Sequence, residues 1–208
     1  ASIGILTERE ILDYLQQFGK IPDKELSDIS LRKFTKVSPQ TPIDEAARTM
    51  ITTKTRLLVY EETRLVGIIT TSDLARAFLN TTDRNPSLEK VITKTIFSLN
   101  HYSSVLQAIK LMNKRRIGSV IVMVKGLHDG IFTERDLLTK ILAENIALAQ
   151  EVGNYCSDFL VTARLGIRAR EAAKIMFANN IKRLPITNKG KIIGIVTARD
   201  LVESFISE

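Results

Sequence analysis

A threonine followed three residues later by an acidic residue is the recurring pattern in this chain that could do chemistry. Its four copies are Thr7/Glu10, Thr70/Asp73, Thr133/Asp136 and Thr197/Asp200. Each copy follows a short apolar run and opens a stretch with helical periodicity. The free amides and the dipole at a helix start favour phosphate, and a nearby carboxylate can accept hydrogen bonds from ribose hydroxyls. The pattern is therefore compatible with nucleotide binding.

The same pattern also has a purely structural interpretation. Thr-x-x-Asp is a capping box, in which the threonine side chain and the acid each bond a free backbone amide of the first helical turn. An acid at this place also suits the positive end of the helix dipole. Taken singly, each copy is better explained as a cap. A cap does not, however, require Arg135 and Arg199 between the threonine and the acid, where they could neutralise phosphate.

The four copies belong to an internal repeat. The glycines that begin their apolar runs, Gly4, Gly67, Gly130 and Gly194, are separated by 63, 63 and 64 residues. Units of about 60 residues are small for independent cores, so we expect them to pack in pairs. We place the repeats at 1–20, 25–82, 88–146 and 150–208. The first copy lacks the preceding half of a repeat, which predicts that the chain begins inside one and that the parent protein is longer.

The elements that must position these residues follow one order, strand–helix–strand–strand–helix, which predicts an α+β fold. Helices are predicted at 8–18, 42–50, 72–79, 104–114, 134–143, 168–178 and 198–207. Gly19 suits the end of the first, and Thr41 is the predicted N-cap of the second. Strands are predicted at 34–37, 56–60, 65–70, 96–99, 119–124, 130–132, 159–162, 183–187 and 192–196. Alanine and methionine recur four residues apart in the first helix of each complete repeat, which predicts a buried face.

The repeat resembles the CBS domain, named for cystathionine β-synthase. The resemblance rests on GIFTERDLL at 130–138, IGSVIV at 117–122 and IKRLPI at 181–186, and it extends over essentially the whole chain. It implies tandem CBS repeats that pair into Bateman modules. By chain order the third and fourth repeats would form one module, and the second would pair with the first.

The resemblance also implies a ligand. CBS pairs bind adenosine compounds, chiefly AMP, ADP or ATP, with S-adenosylmethionine and NAD ranking behind them. The motif acid holds the ribose, while the threonine and nearby basic residues hold phosphate. The implied ribose and phosphate ligands are Thr133, Arg135, Asp136, Thr197, Arg199 and Asp200, followed by Thr70 and Asp73. Ser98 and Thr162 occupy the strand position on the adenine side.

The copies differ in ways that affect such a site. The second has Ser72 where the third and fourth carry arginine, which predicts a weaker grip on phosphate. The first has Glu10 instead of aspartate and lacks a strand to line an adenine. His101 and Leu165 stand where the second repeat has Pro39, so the adenine side of the third and fourth repeats could be reshaped.

Composition limits the functional classes to which the chain could belong. A net charge of +7 favours an anionic partner, but without Trp and with 6% aromatic residues the chain lacks the usual features of a nucleic-acid platform. One cysteine, Cys156, and no long apolar run predict a cytoplasmic protein without a membrane span. We find no catalytic set, no metal site and no resident cofactor, and homodimerisation through CBS modules remains open. The alternative to a nucleotide sensor is a protein- or nucleic-acid-interaction scaffold, in which the motif acids are only helix caps.

Overall fold

The computed structural model describes residues 4–20, 25, 26, 29, 31–157 and 159–207. The helices are α1 Glu8–Phe18, α2 Ile43–Thr53, α3 Thr71–Thr81, α4 Val105–Arg115, α5 (Glu134–Asp136, continued as a π-helix over Leu137–Leu142), α6 Ala169–Ala178 and α7 Ala198–Ile206. The strands are β1 Thr35–Val37, β2 Leu57–Glu61, β3 Arg64–Ile69, β4 Ser98–Asn100, β5 Ser119–Val124, β6 Leu127–Thr133, β7 Ala163–Arg164, β8 Arg183–Asn188 and β9 Lys191–Thr197. A short 3₁₀ helix covers Val152–Tyr155.

In the described part of the chain the strands form three separate three-stranded sheets with one topology, β1-β2-β3, β4-β5-β6 and β7-β8-β9. The first two strands of each sheet run parallel, because a helix crosses between them, and the last two form an antiparallel hairpin. A register shift interrupts each hairpin at the same place, for example between Val122 and Met123. This order confirms the predicted α+β fold and its repeat.

Local signals in the sequence located several boundaries correctly, α1 best of all. Its capping box and the left-handed Gly19 that ends it give the predicted bounds, 8–18. The N-cap predicted for α2 was wrong. The N-cap of α2 is Pro42, and Thr41 instead accepts a hydrogen bond from the Ser38 amide at 3.1 Å. The hydroxyl is used by the preceding turn, so it does not reach the helix.

Several elements are offset from their predicted bounds by one to three residues, and two differ in kind or place. The strand predicted at 159–162 was wrong, because β7 covers Ala163–Arg164 and Thr162 lies just before it. The helix predicted at 134–143 is mostly a π-helix, in which the Ala143 amide donates to Leu138 O at 3.0 Å. A π-helix bonds residues five apart and is frequent at functional sites. The apolar period of this short stretch does not reveal it.

The chain divides into two compact units. One comprises Ala1–Arg32 and Ile96–Leu160, and the other comprises Lys33–Thr95 and Val161–Glu208. In the first unit α1 packs against α4 and α5, and its core includes Leu12, Leu15, Met112, Phe132 and Leu137, all fully buried.

In the second unit α7 packs against α2, α3 and α6. Phe78 stacks on Phe205 with ring centroids 5.3 Å apart. The Ala/Met face predicted from sequence is core in both units, since Met50, Met112 and Met176 are at most 2% exposed. The units join alternate repeats, first with third and second with fourth, whereas chain order had suggested neighbours. Helix contacts join the two repeats within each unit, α1 with α4 and α5 in the first and α7 with α2 and α3 in the second.

No helix within the described ranges combines the length and the apolar character that a membrane crossing needs.

Candidate functional site

All four copies of the Thr-x-x-acid pattern form complete capping boxes. In the fourth repeat the Thr197 amide and hydroxyl donate to Asp200 Oδ2 at 2.7 and 2.8 Å. The equivalent bonds to Asp136 Oδ2 measure 2.9 and 2.6 Å, and those to Asp73 Oδ2 also measure 2.9 and 2.6 Å. The structural interpretation of the motif is therefore correct for every copy. It uses one oxygen of each aspartate.

The second carboxylate oxygen distinguishes the repeats. Asp136 Oδ1 accepts from Lys140 Nζ at 3.0 Å, and the ammonium also donates to Tyr155 O at 2.9 Å and Cys156 O at 3.3 Å. In the first repeat Glu10 is buried and ion-paired with Arg32. Both motif acids of the first unit are thus held by a cation.

The second unit leaves its motif acids more open. Among the described residues, Oδ1 of Asp73 and of Asp200 has no hydrogen-bond or ion-pair partner. Asp73 is exposed, whereas Asp200 is only partly exposed. Burial raises the pKa of Asp200 above its ordinary value of 3.8, against the lowering effect of the Thr197 hydrogen bonds and of Arg199. Asp200 therefore combines a preoriented oxygen with a partly desolvated charge.

The arginines of the motif make different contacts in different repeats. Arg199 donates to Ile51 O in the last turn of α2 at 2.6 Å. Arg9, at the same place in the first repeat, donates to Met112 O and Ile117 O at the end of α4, and it pairs with Glu134 at 3.0 Å. Cations are stabilised at helix C-termini, so this position caps a helix of the paired repeat. Arg135 is exposed and has no such partner in the described part of the chain.

The remaining predicted positions lie apart from these bonds. Ser98 is the exposed first residue of β4, and Thr162 is a partly buried residue just before β7. Within the described ranges, no hydrogen bond links either side chain to a motif threonine or acid. The structure therefore brings together each Thr/Asp pair, while among the described residues no hydrogen bond joins the adenine-side positions to them.

A pair that the sequence did not predict lies in the third repeat. His101 Nδ1 and Asp129 Oδ2 are 2.6 Å apart, and Gly153 packs against the imidazole. Twenty-eight residues separate the two partners in sequence, and no local pattern connects them. Cys156 is buried. Where the structure describes the chain, no three His, Cys, Asp or Glu side chains cluster closely enough to hold a metal ion.

Comparison with known proteins places this geometry in context. The chain is 24% identical to the protein MJ1225 of Methanocaldococcus jannaschii, over 98% of this chain and 82% of that protein. The crystal structure of MJ1225, described as a proposed archaeal homologue of g-AMPK, superposes with a TM-score of 0.80 over 97% of this chain and 83% of that one.

Two smaller proteins match part of the chain. The CBS domain-containing protein YhcV of Bacillus subtilis is 25% identical over 58% of this chain and 86% of its own length. The CBS domain pair of MJ0100 was crystallised with 5-methylthioadenosine and S-adenosyl-L-methionine. It has 22% identity and a TM-score of 0.53, over 59% of this chain and 97% of that one.

The family model for the CBS domain matches residues 26–80, 88–143 and 152–207. These three matches take in the three complete strand–helix–strand–strand–helix repeats and most of the sequence. Together with the three identical sheet topologies, they show that this chain belongs to the CBS domain family.

Proposed function

We propose that this chain is a non-catalytic sensor module that binds an adenine nucleotide, with the ribose at Asp200. The observation that carries the proposal is that the two oxygens of this carboxylate have different surroundings. Oδ2 is fixed by Thr197, while Oδ1 has no partner among the described residues. A ribose presents two neighbouring hydroxyl donors, which match an acceptor held in a fixed orientation. The cap and the binding site are then one arrangement.

The ligand class is supported by two relatives. The MJ0100 domain pair holds adenosine-containing compounds in its crystal structure, and MJ1225 is described as a proposed homologue of g-AMPK. The net charge of +7 favours phosphate-bearing ligands over neutral nucleosides. We therefore rank AMP, ADP and ATP above S-adenosylmethionine and NAD.

The four motif acids should not bind equally well. Asp200 ranks first and Asp73 second, because neither shares its second oxygen with a cation in the described structure. Asp136 ranks below them, since a ribose there would have to displace Lys140 from Oδ1. Glu10 ranks last because of Arg32. A ligand that favoured one arrangement of the repeats would shift the population toward it, which is how such a module could sense a nucleotide.

Isothermal titration calorimetry of the 208-residue chain with AMP, ADP, ATP and S-adenosylmethionine tests this proposal. Asp200→Ala should weaken binding about tenfold or more, corresponding to about 1.4 kcal/mol. The matched control is Asp136→Ala, which loses the same type of cap but an acid already paired with Lys140. Wild-type affinity in Asp200→Ala, or no binding of any of the four compounds to folded protein, would refute the ribose role.

The scaffold alternative draws on one observation, the completeness of all four capping boxes. If the acids are caps alone, Asp200→Ala should cost about 1 kcal/mol of stability and no nucleotide should bind. A nucleic-acid scaffold would instead bind oligonucleotides with an affinity that falls steeply as salt is raised.

A further inference from the structure

In the third and fourth repeats a short segment lies against the outer edge of the last strand, and in the first repeat a similar segment pairs with the apolar run before α1. Ile5 and Arg32 exchange two backbone hydrogen bonds of 2.9 and 3.0 Å. Ile195 and Thr93 do the same at 3.0 and 3.1 Å. In the third repeat the Ser157 amide donates to Ile131 O at 3.0 Å. In each case the paired isoleucine directly follows the glycine that begins the repeated motif.

That glycine is explained by the covering segment. A Cβ on Gly4 would come within 2.6 Å of Leu31 Cβ. On Gly130 it would overlap Ser157 O, and on Gly194 it would overlap the Ile92 side chain. None of these three glycines has a positive φ. Their role is therefore to admit another backbone at close range, a recognised reason for glycine within a strand.

β3 carries the same glycine without the same neighbour. Among the described residues, the nearest atoms to a Cβ on Gly67 belong to Val59 of the adjacent strand, at an ordinary 3.8 Å. Leu65, Val66 and Ile68 are 49, 43 and 49% exposed. Glycine weakens a strand interior, and an exposed apolar edge invites pairing with another chain. Gly67 therefore weakens this strand, although no segment in the described part of the chain makes the close approach that a glycine permits.

The register shows which atoms are available. Ile68 faces Leu58 across the hairpin, as Ile195 faces Pro185 in the fourth repeat. The Ile195 amide and carbonyl point away from β8 and bond Thr93. By the same register the Ile68 amide and carbonyl point outward from β2. They are the donor and acceptor that an added strand would use.

We propose that the edge of β3 at Gly67–Ile68 docks an extended peptide segment of a partner polypeptide, in which an apolar residue precedes a polar one. The three covering segments in this chain have that composition: Leu31-Arg32, Ile92-Thr93 and Cys156-Ser157. They lie outside the named strands, so the edge accepts a single extended segment rather than a second sheet. The peptide would add a fourth strand to β1-β2-β3, with two backbone hydrogen bonds to Ile68 and its apolar residue against Gly67.

A synthetic peptide with the sequence LEKVITKTI, copied from residues 88–96, serves as the probe because it contains Ile92-Thr93. Fluorescence anisotropy of the labelled peptide should show saturable binding to the 208-residue chain. Gly67→Ala should weaken this binding about tenfold or more, because its methyl group fills the space that the peptide needs. The substitution meets only a 3.8 Å contact, so the melting temperature should not fall.

Two controls distinguish strand pairing from nonspecific apolar binding. A peptide with proline in place of Thr93 lacks the amide that would donate to Ile68 O and should not bind. Leu127→Ala removes an even more exposed apolar side chain elsewhere and should leave binding unchanged. Absence of saturable binding to the wild type, or equal binding by Gly67→Ala, would overturn the proposal. So would sedimentation showing a dimer that Gly67→Ala dissociates, since the occupant would then be a second copy of this chain.

Discussion

Replacing Arg199 by methionine tests whether the arginine of the motif supports a helix or holds phosphate. Its guanidinium donates to Ile51 O, 148 residues away in sequence, at 2.6 Å. Ile51 lies in the last turn of α2, where carbonyls have no partner within the helix. Methionine keeps most of the apolar stem and removes the charge and the donor. The substitution thus leaves a helix-end carbonyl without its cation.

The expected loss can be estimated from this one contact. A hydrogen bond from a charged group contributes about 1.5–3 kcal/mol, a range within which the attraction of the cation to the helix end is already counted. The contact is only partly buried, so we take about 2 kcal/mol, toward the lower end of that range. For a chain of this length about 1 kcal/mol corresponds to about 2–4 °C. Arg199→Met should therefore lower the melting temperature by about 4–8 °C.

Arg135→Met is the matched control, because it changes the same motif position in a repeat where the arginine is exposed and no partner occurs among the described residues. A surface substitution of this kind should change stability by less than about 0.5 kcal/mol. Far-UV circular dichroism during heating compares the two variants. Equal melting temperatures would refute the helix-end assignment. Loss of AMP or ATP binding in Arg199→Met at unchanged stability would support the phosphate role instead.

Two further substitutions test local features of the structure. Asp200→Asn should remove a pH dependence: burial raises the folded-state pKa of Asp200, so its contribution to stability is complete below pH 3.8 and is lost as pH rises through the raised pKa. Urea unfolding at several pH values should therefore show the free energy of unfolding of Asp200→Asn rising relative to that of the wild type as the pH approaches neutral. An equal pH dependence of the two proteins would contradict the assignment. Gly153→Ala should lower stability by about 1–3 kcal/mol, because the new methyl group overlaps the His101 ring and disturbs its bond to Asp129. Thermal unfolding beside Gly67→Ala, where space is open, checks this, and equal stability of the two variants would be the contrary result.

The sequence predicts the elements whose signals are local. α1 has its cap at Thr7 and its stop at Gly19, within thirteen residues, and its bounds match the structure. β5 likewise has the predicted bounds, 119–124, because its apolar residues are continuous. The π-helix of α5 escapes prediction, since its five-residue bonding leaves no separate pattern in six residues. Thr41 misleads because its hydroxyl has two candidate partners, and the Ser38 amide takes it.

Contacts between repeats are the part that sequence reasoning could not supply. Ala46/Met50, Ala108/Met112 and Ala172/Met176 present nearly identical faces, so composition alone does not decide which repeats share a core. The same limit applies to Arg199, whose carbonyl partner is remote in sequence. The motif itself shows only that the arginine is not needed for the cap. A phosphate contact of Arg199 stays a prediction, whereas its bond to the end of α2 follows from the fold.

Divergence among the copies explains why one repeated motif should give unequal sites. The bond from the threonine amide to the acid is nearly the same in the second, third and fourth copies, so it does not distinguish one aspartate from another. The second oxygen does differ, because it meets Lys140 in the third repeat and Arg32 in the first. In the fourth repeat the residue equivalent to Lys140 is Ser204, whose hydroxyl donates to Leu201 O instead. Asp200 therefore has no cation at the place that Lys140 takes in the third repeat, so the proposed ribose would displace none from its Oδ1.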